Sequence, residues 1–274
     1  PILSLVHNNR DHKKIVVIDG KIAYTGGLNI ADEYVNLKKR FGHWKDTGIK
    51  IVGDATKSFT LMFLESWHYL KDSSEDCSIF LNVPTYIGDF SKGYVEPYLG
   101  DPMLENNVPR GVYLNIINSA KDYVYIATPY LAIDTELQVA LSTACRRGVD
   151  VRIIVPHIPD KKYVFRVTQS YYKSLLKYGI KFYEYTPGFI HSKMILSDDK
   201  LATVGTINFD YRSFYHNYEC GVWLYNTDSI LDIKEDFLNT IDESLEITLQ
   251  YVEEKIGFFK LFIGEIIKVF APLF

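Results

Sequence analysis

Apolar positions along the chain change period several times, and each change predicts an element. Gly111–Ala120 reads as a short helix, and Tyr123–Thr128 as an apolar strand ended by Pro129. Thr135–Arg147 places Leu137, Ala140, Leu141 and Ala144 on one helical face, and Gly148 stops it. Val149–Val155 is a strand closed by Pro156. Lys162–Tyr178 is a helix closed by Gly179, and Ile180–Tyr185 is the next strand. Met194–Leu196 and Leu201–Gly205 flank Asp198-Asp199-Lys200. Ile15–Ile18 and Lys21–Thr25 flank Asp19-Gly20, so each pair predicts a hairpin. Strands alternating with helices predict an α/β architecture of mixed, largely parallel sheets flanked by helices.

The chain also repeats itself. His12-Lys13-Lys14-Ile15-Val16-Val17-Ile18-Asp19 is followed by Gly26-Gly27-Leu28-Asn29. His191-Ser192-Lys193-Met194-Ile195-Leu196-Ser197-Asp198 is followed by Gly205-Thr206-Ile207-Asn208. Both copies read H-x-K-x4-D-x6-G-[GT]-x-N, 179 residues apart. A weaker match follows each, with Asp46 and Glu219 both leading into a strand. Two related domains are expected: 1–80 as the C-terminal part of the first, and 111–250 as the second. Residues 81–110, with Pro84, Pro97, Pro102 and Pro109, read as the segment between them. Val112 lies 79 residues before His191, whereas 11 residues precede His12. The first domain is therefore expected to lack the βαβαβ lead-in of the second, as in a chain truncated at its N-terminus.

Composition narrows the class. Of 274 residues, 47% are hydrophobic and 23% charged, which suits a folded chain. No uncharged apolar run reaches the ~18 residues of a membrane-spanning helix. The net charge of −4 disfavours a dedicated nucleic-acid binder. Cys77, Cys145 and Cys220 form no CxxC pair, and His7, His43, His68, His157 and His216 have no metal-ligand spacing. Neither metal nor other cofactor is expected.

The paired motif has a chemistry of its own. Side chains at i and i+2 of a strand share a face, so His12 projects with Lys14, and His191 with Lys193. A lysine ammonium suits phosphate oxygens, and a neutral imidazole can attack phosphorus or, once protonated, give up a proton. Asn29 and Asn208 carry amides that can donate to a phosphoryl oxygen, with Gly27 and Thr206 beside them as further phosphate-site candidates. Asp19 and Asp198 have the opposite parity and sit at the turns, which reads as structural. A histidine nucleophile needs an acceptor on its second nitrogen, and Asp46 and Glu219 are the candidates.

These residues resemble the phospholipase D superfamily. Thr128-Pro129-Tyr130, Arg147-Gly148-Val149-Asp150-Val151, Ser170-Tyr171-Tyr172 and Pro187-Gly188-Phe189-Ile190-His191-Ser192-Lys193 are similar to bacterial cardiolipin synthases. So are the stretches from Thr25 to Tyr34 and from Asn208 to Phe214. The resemblance implies two phospholipase D-like domains, with Asp19 and Asp198 counted in the catalytic motif. It implies transphosphatidylation without a metal: one histidine displaces glycerol from phosphatidylglycerol, and a second phosphatidylglycerol takes the phosphatidyl group, giving cardiolipin. His12 takes the role of nucleophile and His191 that of acid and base. The implied partners are membrane phospholipids, and the implied location is the bacterial cytoplasmic membrane, anchored through N-terminal helices that residues 1–274 do not contain. Two alternatives stand beside this reading. A phospholipase D-type hydrolase or nuclease would use water as acceptor, and a non-catalytic relative would only bind lipid; two intact motifs argue against the latter.

Residues 251–274 form a separate case. On a helical wheel Phe258, Phe259, Phe262, Ile263, Ile266, Ile267, Val269 and Phe270 cover about half the circumference, with Lys260, Glu265, Lys268 and Leu261 opposite. Such a face suits either a bilayer interface or the body of the protein.

Overall fold

A computed structural model describes residues 9–71, 76–84 and 92–273. The first half contains β1 (Arg10–Asp11), β2 (Ile15–Ile18), β3 (Ile22–Gly26), β4 (His43–Lys45), β5 (Gly48–Val52) and helix α1 (Thr56–Lys71). Next come β6 (Tyr94–Gly100), α2 (Val108–Ser119), β7 (Tyr123–Ala127), β8 (Leu131–Ala132), α3 (Thr135–Arg146) and β9 (Asp150–Pro156). They are followed by α4 (Lys162–Leu176), β10 (Lys181–Tyr185), β11 (Gly188–Ile190), β12 (Met194–Ser197), β13 (Leu201–Gly205) and β14 (Phe209–Asp210). The chain closes with β15 (Asn217–Tyr225), α5 (Ser229–Asp242), β16 (Ser244–Ile247) and α6 (Gly257–Val269).

The main sheet runs β1-β15-β13-β12-β7-β9-β10-β16, with β6 also on β15. The strand–helix alternation of the lead-in makes β7, β9 and β10 parallel. The β12–β13 hairpin and the returning β15 pair antiparallel, so the sheet is mixed and its parallel part is confined to the lead-in and β1. Residues 94–100, inside the expected connecting segment, are a strand of this sheet rather than a linker. Pro97 is tolerated there because β6 is an edge strand.

Both hairpin turns use left-handed backbone, at Asp19 and Gly20 (φ 52° and 65°) and at Asp198 and Asp199 (φ 54° and 56°). The Asp198 carboxylate accepts from the backbone N–H groups of Lys121, Asp122 and Tyr123 at 2.8, 3.0 and 3.0 Å. It clamps the turn to the start of β7.

Two apolar layers hold the molecule together. On one face of the sheet, α2, α3 and α4 bury Ile116, Leu141 and Tyr171 against Ile126, Ile153 and Ile195. On the other face the halves meet. A second sheet, β2-β3-β5, brings Ala23 and Ile51 against Met194, Leu196, Ala202 and Val222, with Phe59 and Met62 from α1 and Phe237 from α5.

The C-terminal helix begins at Gly257 (φ 74°), later than the expected 251. It docks on α4 through its least apolar face. A Cβ at Gly264 would lie 2.4 Å from the Arg166 carbonyl oxygen, and Lys268 sits 4.0 Å over the Tyr171 ring. Leu261, expected on the polar side, packs against the core. The aromatic face is left outside, with Phe258 82% and Phe259 71% exposed. Among the described residues no helix is long and apolar enough to cross a membrane.

Candidate active site

Each histidine emerges beside a strand of the other half. β1 runs parallel to β15, and the His12 N–H donates to Tyr218 O at 2.9 Å. β11 runs parallel to β4, and the His191 N–H donates to Lys45 O at 2.6 Å. The residue after Tyr218 is Glu219, and the residue after Lys45 is Asp46. His12 Nδ1 lies 2.9 Å from Glu219 Oε2, and His191 Nδ1 lies 2.7 Å from Asp46 Oδ2. With a carboxylate as acceptor, Nδ1 carries the proton and Nε2 keeps its lone pair. The two halves thus exchange carboxylates, a crossing that alignment of Asp46 with Glu219 did not reveal.

The carboxylates are themselves held. Thr206 Oγ1 and Asn217 Nδ2 donate to Glu219, the latter at 3.1 Å, and Thr47 N donates to Asp46 Oδ1 at 2.9 Å. Equivalent backbone bonds join Gly27 N to Thr47 O (3.1 Å) and Thr206 N to Cys220 O (2.9 Å). At Gly27 a Cβ would stand 2.1 Å from Asp46 Oδ1, so this position must be glycine for Asp46 to reach His191. Gly27 and Thr206, expected in a phosphate site, instead back the two carboxylates and do not line the cavity described below.

The lysines stand behind the histidines. Lys14 Nζ donates to His12 O at 2.8 Å and Lys193 Nζ to His191 O at 2.6 Å, and neither side chain lines the cavity. The shared strand face was legible; that the ammonium is spent on the histidine's own carbonyl was not. Burial pushes the Lys193 ammonium down to about 7, with Asp46 opposing and Lys14 adding to the shift. Burial lowers Lys14 too, opposed by Glu219, Cys220 and Asp46. Burial and the neighbouring Lys193 bring the His191 imidazole down to about 4, against the pull of Asp46. His191 is therefore neutral near pH 7 in the free protein.

His12 and His191 line one cavity of about 410 Å³, together with Asn29 and Asn208. A volume of this order accommodates a small polar head group. Trp44 lies against the His191 ring, 4.9 Å between centroids, and stacks on Phe189 at 4.6 Å. Asp19 and Asp198 remain at the turns, outside the cavity lining. Sequence reasoning gave no role to Trp44, Asn217, Tyr130, Asp160 or Lys161, all of which line the cavity. A signal existed for the first two, since each lies two residues before an orienting carboxylate. Asp160 and Lys161 come from the loop entering α4 and carried none.

A fold in which duplicated halves converge two carboxylate-held histidines on one cavity defines the phospholipase D class. Residues 113–241 match the family described as cardiolipin synthase, PLD-like domain. The chain is 40% identical over 255 residues to a cardiolipin synthase of Geobacillus sp. strain WCH70, covering 93% of this chain and 51% of that protein. It is 46% identical over 273 residues to an uncharacterized protein of Streptococcus mutans, covering 100% of this chain and 59% of the relative. A phosphatidylserine synthase of Haemophilus influenzae shares the fold, with TM-score 0.68 at 17% identity over all of this chain and 70% of that one. The chain belongs to the phospholipase D superfamily, in its cardiolipin synthase family. It spans about half the length of the cardiolipin synthases it matches.

Proposed function

We propose that the protein transfers a phosphatidyl group between phosphatidylglycerol molecules, making cardiolipin and glycerol. One observation carries the reading: two histidines, each held at Nδ1 by a carboxylate of the opposite half, face a single cavity. His12 Nε2 attacks phosphorus and forms an N–P bond as the P–O bond to glycerol breaks. The departing oxygen takes a proton from the His191 imidazolium. A hydroxyl of the second phosphatidylglycerol then returns a proton to His191 as its oxygen attacks phosphorus, and the N–P bond breaks. Binding of the anionic diester favours the protonated form of His191 that the first step needs. Lys14 and Lys193 supply positive charge to the site from behind, and the Asn29 and Asn208 amides donate to phosphoryl oxygens.

One observation favours the reverse assignment. Burial keeps His191 neutral, the form a nucleophile requires. Trapping the phosphohistidine during turnover and mapping the labelled peptide distinguishes the two: label on the His12 peptide supports the first assignment, label on the His191 peptide the second.

Work on a lipid substrate places the enzyme at a bilayer surface. The exposed face of α6 (Phe258, Phe259, Phe262, Ile266) supports contact there. The chain just beyond that helix reaches the cavity at Ala271, so the apolar face and the site adjoin. Incubation with phosphatidylglycerol alone, followed by lipid mass spectrometry, tests the activity. Cardiolipin with glycerol is expected; phosphatidic acid with glycerol would mean that water is the acceptor.

A further inference from the structure

Among the described residues, four buried side-chain polar atoms have no hydrogen-bond partner: Trp44 Nε1, Asp160 Oδ1, Asn208 Oδ1 and Asn217 Oδ1. All four residues line the cavity shared by His12 and His191. Asn208 and Asn217 are more than nine-tenths buried. Leaving such an atom unpaired costs about 1–3 kcal/mol, so native proteins rarely cluster them without a ligand to complete the set. Three of the four are acceptor oxygens. An anionic phosphodiester has only acceptors, so it can pair with Trp44 Nε1 but not with these oxygens. Whatever fills this cavity must therefore bring hydrogen-bond donors besides its phosphate.

Asp160 is the most informative member. Tyr130 donates to its Oδ2 at 2.5 Å, which fixes the carboxylate and leaves Oδ1 free to accept. An ammonium head group would supply donors too. However, Arg10, Lys161 and Arg212 line the same cavity and disfavour a further cation. A head group of trimethylammonium type has no donor at all.

We infer that Asp160, with Asn208 and Asn217, forms a polyol subsite that accepts hydrogen bonds from the hydroxyls of a neutral polyhydroxy head group and so sets head-group specificity. This rests on the proposed function for the phosphate's place between the histidines, but not on which acceptor completes the reaction. A site built to pair with hydroxyls discriminates strongly against analogues that lack them.

Binding and turnover are measured separately, by calorimetry with the soluble deacylated head groups and by lipid product analysis. Glycerophosphoglycerol is expected to bind at least about tenfold tighter than glycerophosphocholine or glycerophosphoethanolamine. Asp160→Asn, which keeps an acceptor for Tyr130, is expected to cut that preference to about threefold or less, and Asp160→Ala likewise. Equal affinity for the three probes in the unmodified protein would overturn the polyol subsite. So would tightest binding of the ethanolamine compound, or a preference unchanged in both variants. If the preference is present and lost on substitution while no phospholipid is turned over, the subsite stands and the proposed activity falls.

Discussion

The two copies of the motif are built alike and housed differently. In both, the histidine follows a short strand lying parallel to the other half, its Nδ1 meets a carboxylate there, and the lysine two residues on caps its carbonyl. The inner faces of the hairpins match as well: Ile15 and Val17 pack into the layer between the halves, as do Met194 and Leu196. The outer faces diverge. Val16 is 56% exposed, while its counterpart Ile195 is fully buried under the helices of the lead-in. β2 lies at the edge of a three-stranded sheet, whereas β12 runs between β13 and β7. The histidines inherit this contrast, with the His12 side chain 28% exposed and that of His191 7%. Site geometry therefore follows from the local strand and the layer between the halves. The electrostatic setting of each imidazole follows from what covers it.

The strongest way to break the symmetry is to remove one imidazole. His12→Ala and His191→Ala should each lower turnover of phosphatidylglycerol by more than about 10⁴-fold; substantial activity in either would show that one histidine suffices. Next in size is the exchange of carboxylates. Glu219→Gln and Asp46→Asn should each cost about 10²–10⁴-fold in kcat with little change in the melting curve, because the imidazole loses its tautomer and orientation. If only Asp46→Asn acts, the halves are less equal than their geometry. Gly27→Ala sharpens the same point. Its Cβ would stand where Asp46 Oδ1 now lies, so a loss of about 10–100-fold is expected in steady-state assays, larger than for Thr206→Ser at the matching position. Paired Phe258→Ser and Phe259→Ser changes should weaken flotation with phosphatidylglycerol vesicles by about tenfold and leave the melting temperature unchanged, since those rings are outside the packed face.

The smallest effect is on pH. His191 has a folded value near 4, below its ordinary 6.5, so the unfolded chain takes up its proton first as pH falls. The stability it contributes is complete above about 6.5 and is lost as pH drops from there towards 4. Melting scans across this window should slope less steeply in His191→Asn than in the unmodified protein.

Much of this was legible beforehand. The doubled spacing located both histidines, both lysines and both asparagines, because strand parity and turn chemistry are local. The orienting carboxylates were also visible by alignment. Asp198 was read as structural, and its three backbone hydrogen bonds show what it does. Less was legible wherever partners come from far along the chain. The strand at Tyr94–Gly100 was hidden by its proline, since edge strands tolerate what central strands do not. The docking face of α6 was inverted: a hydrophobic wheel ranks faces by polarity, whereas close helix contact at Gly264 is decided by backbone approach.

The sequence by itself determined the duplication, the period of each element and the pairing of imidazole with ammonium in each copy. These depend on residues a few positions apart, whose relation a strand or turn fixes directly. Only the tertiary structure decided that each histidine leans on the opposite half's carboxylate, that burial neutralises His191, and that Trp44, Asp160 and Asn217 join the same cavity. Those facts arise from long-range packing and from the low dielectric it creates, and neither is encoded at any single spacing along the chain.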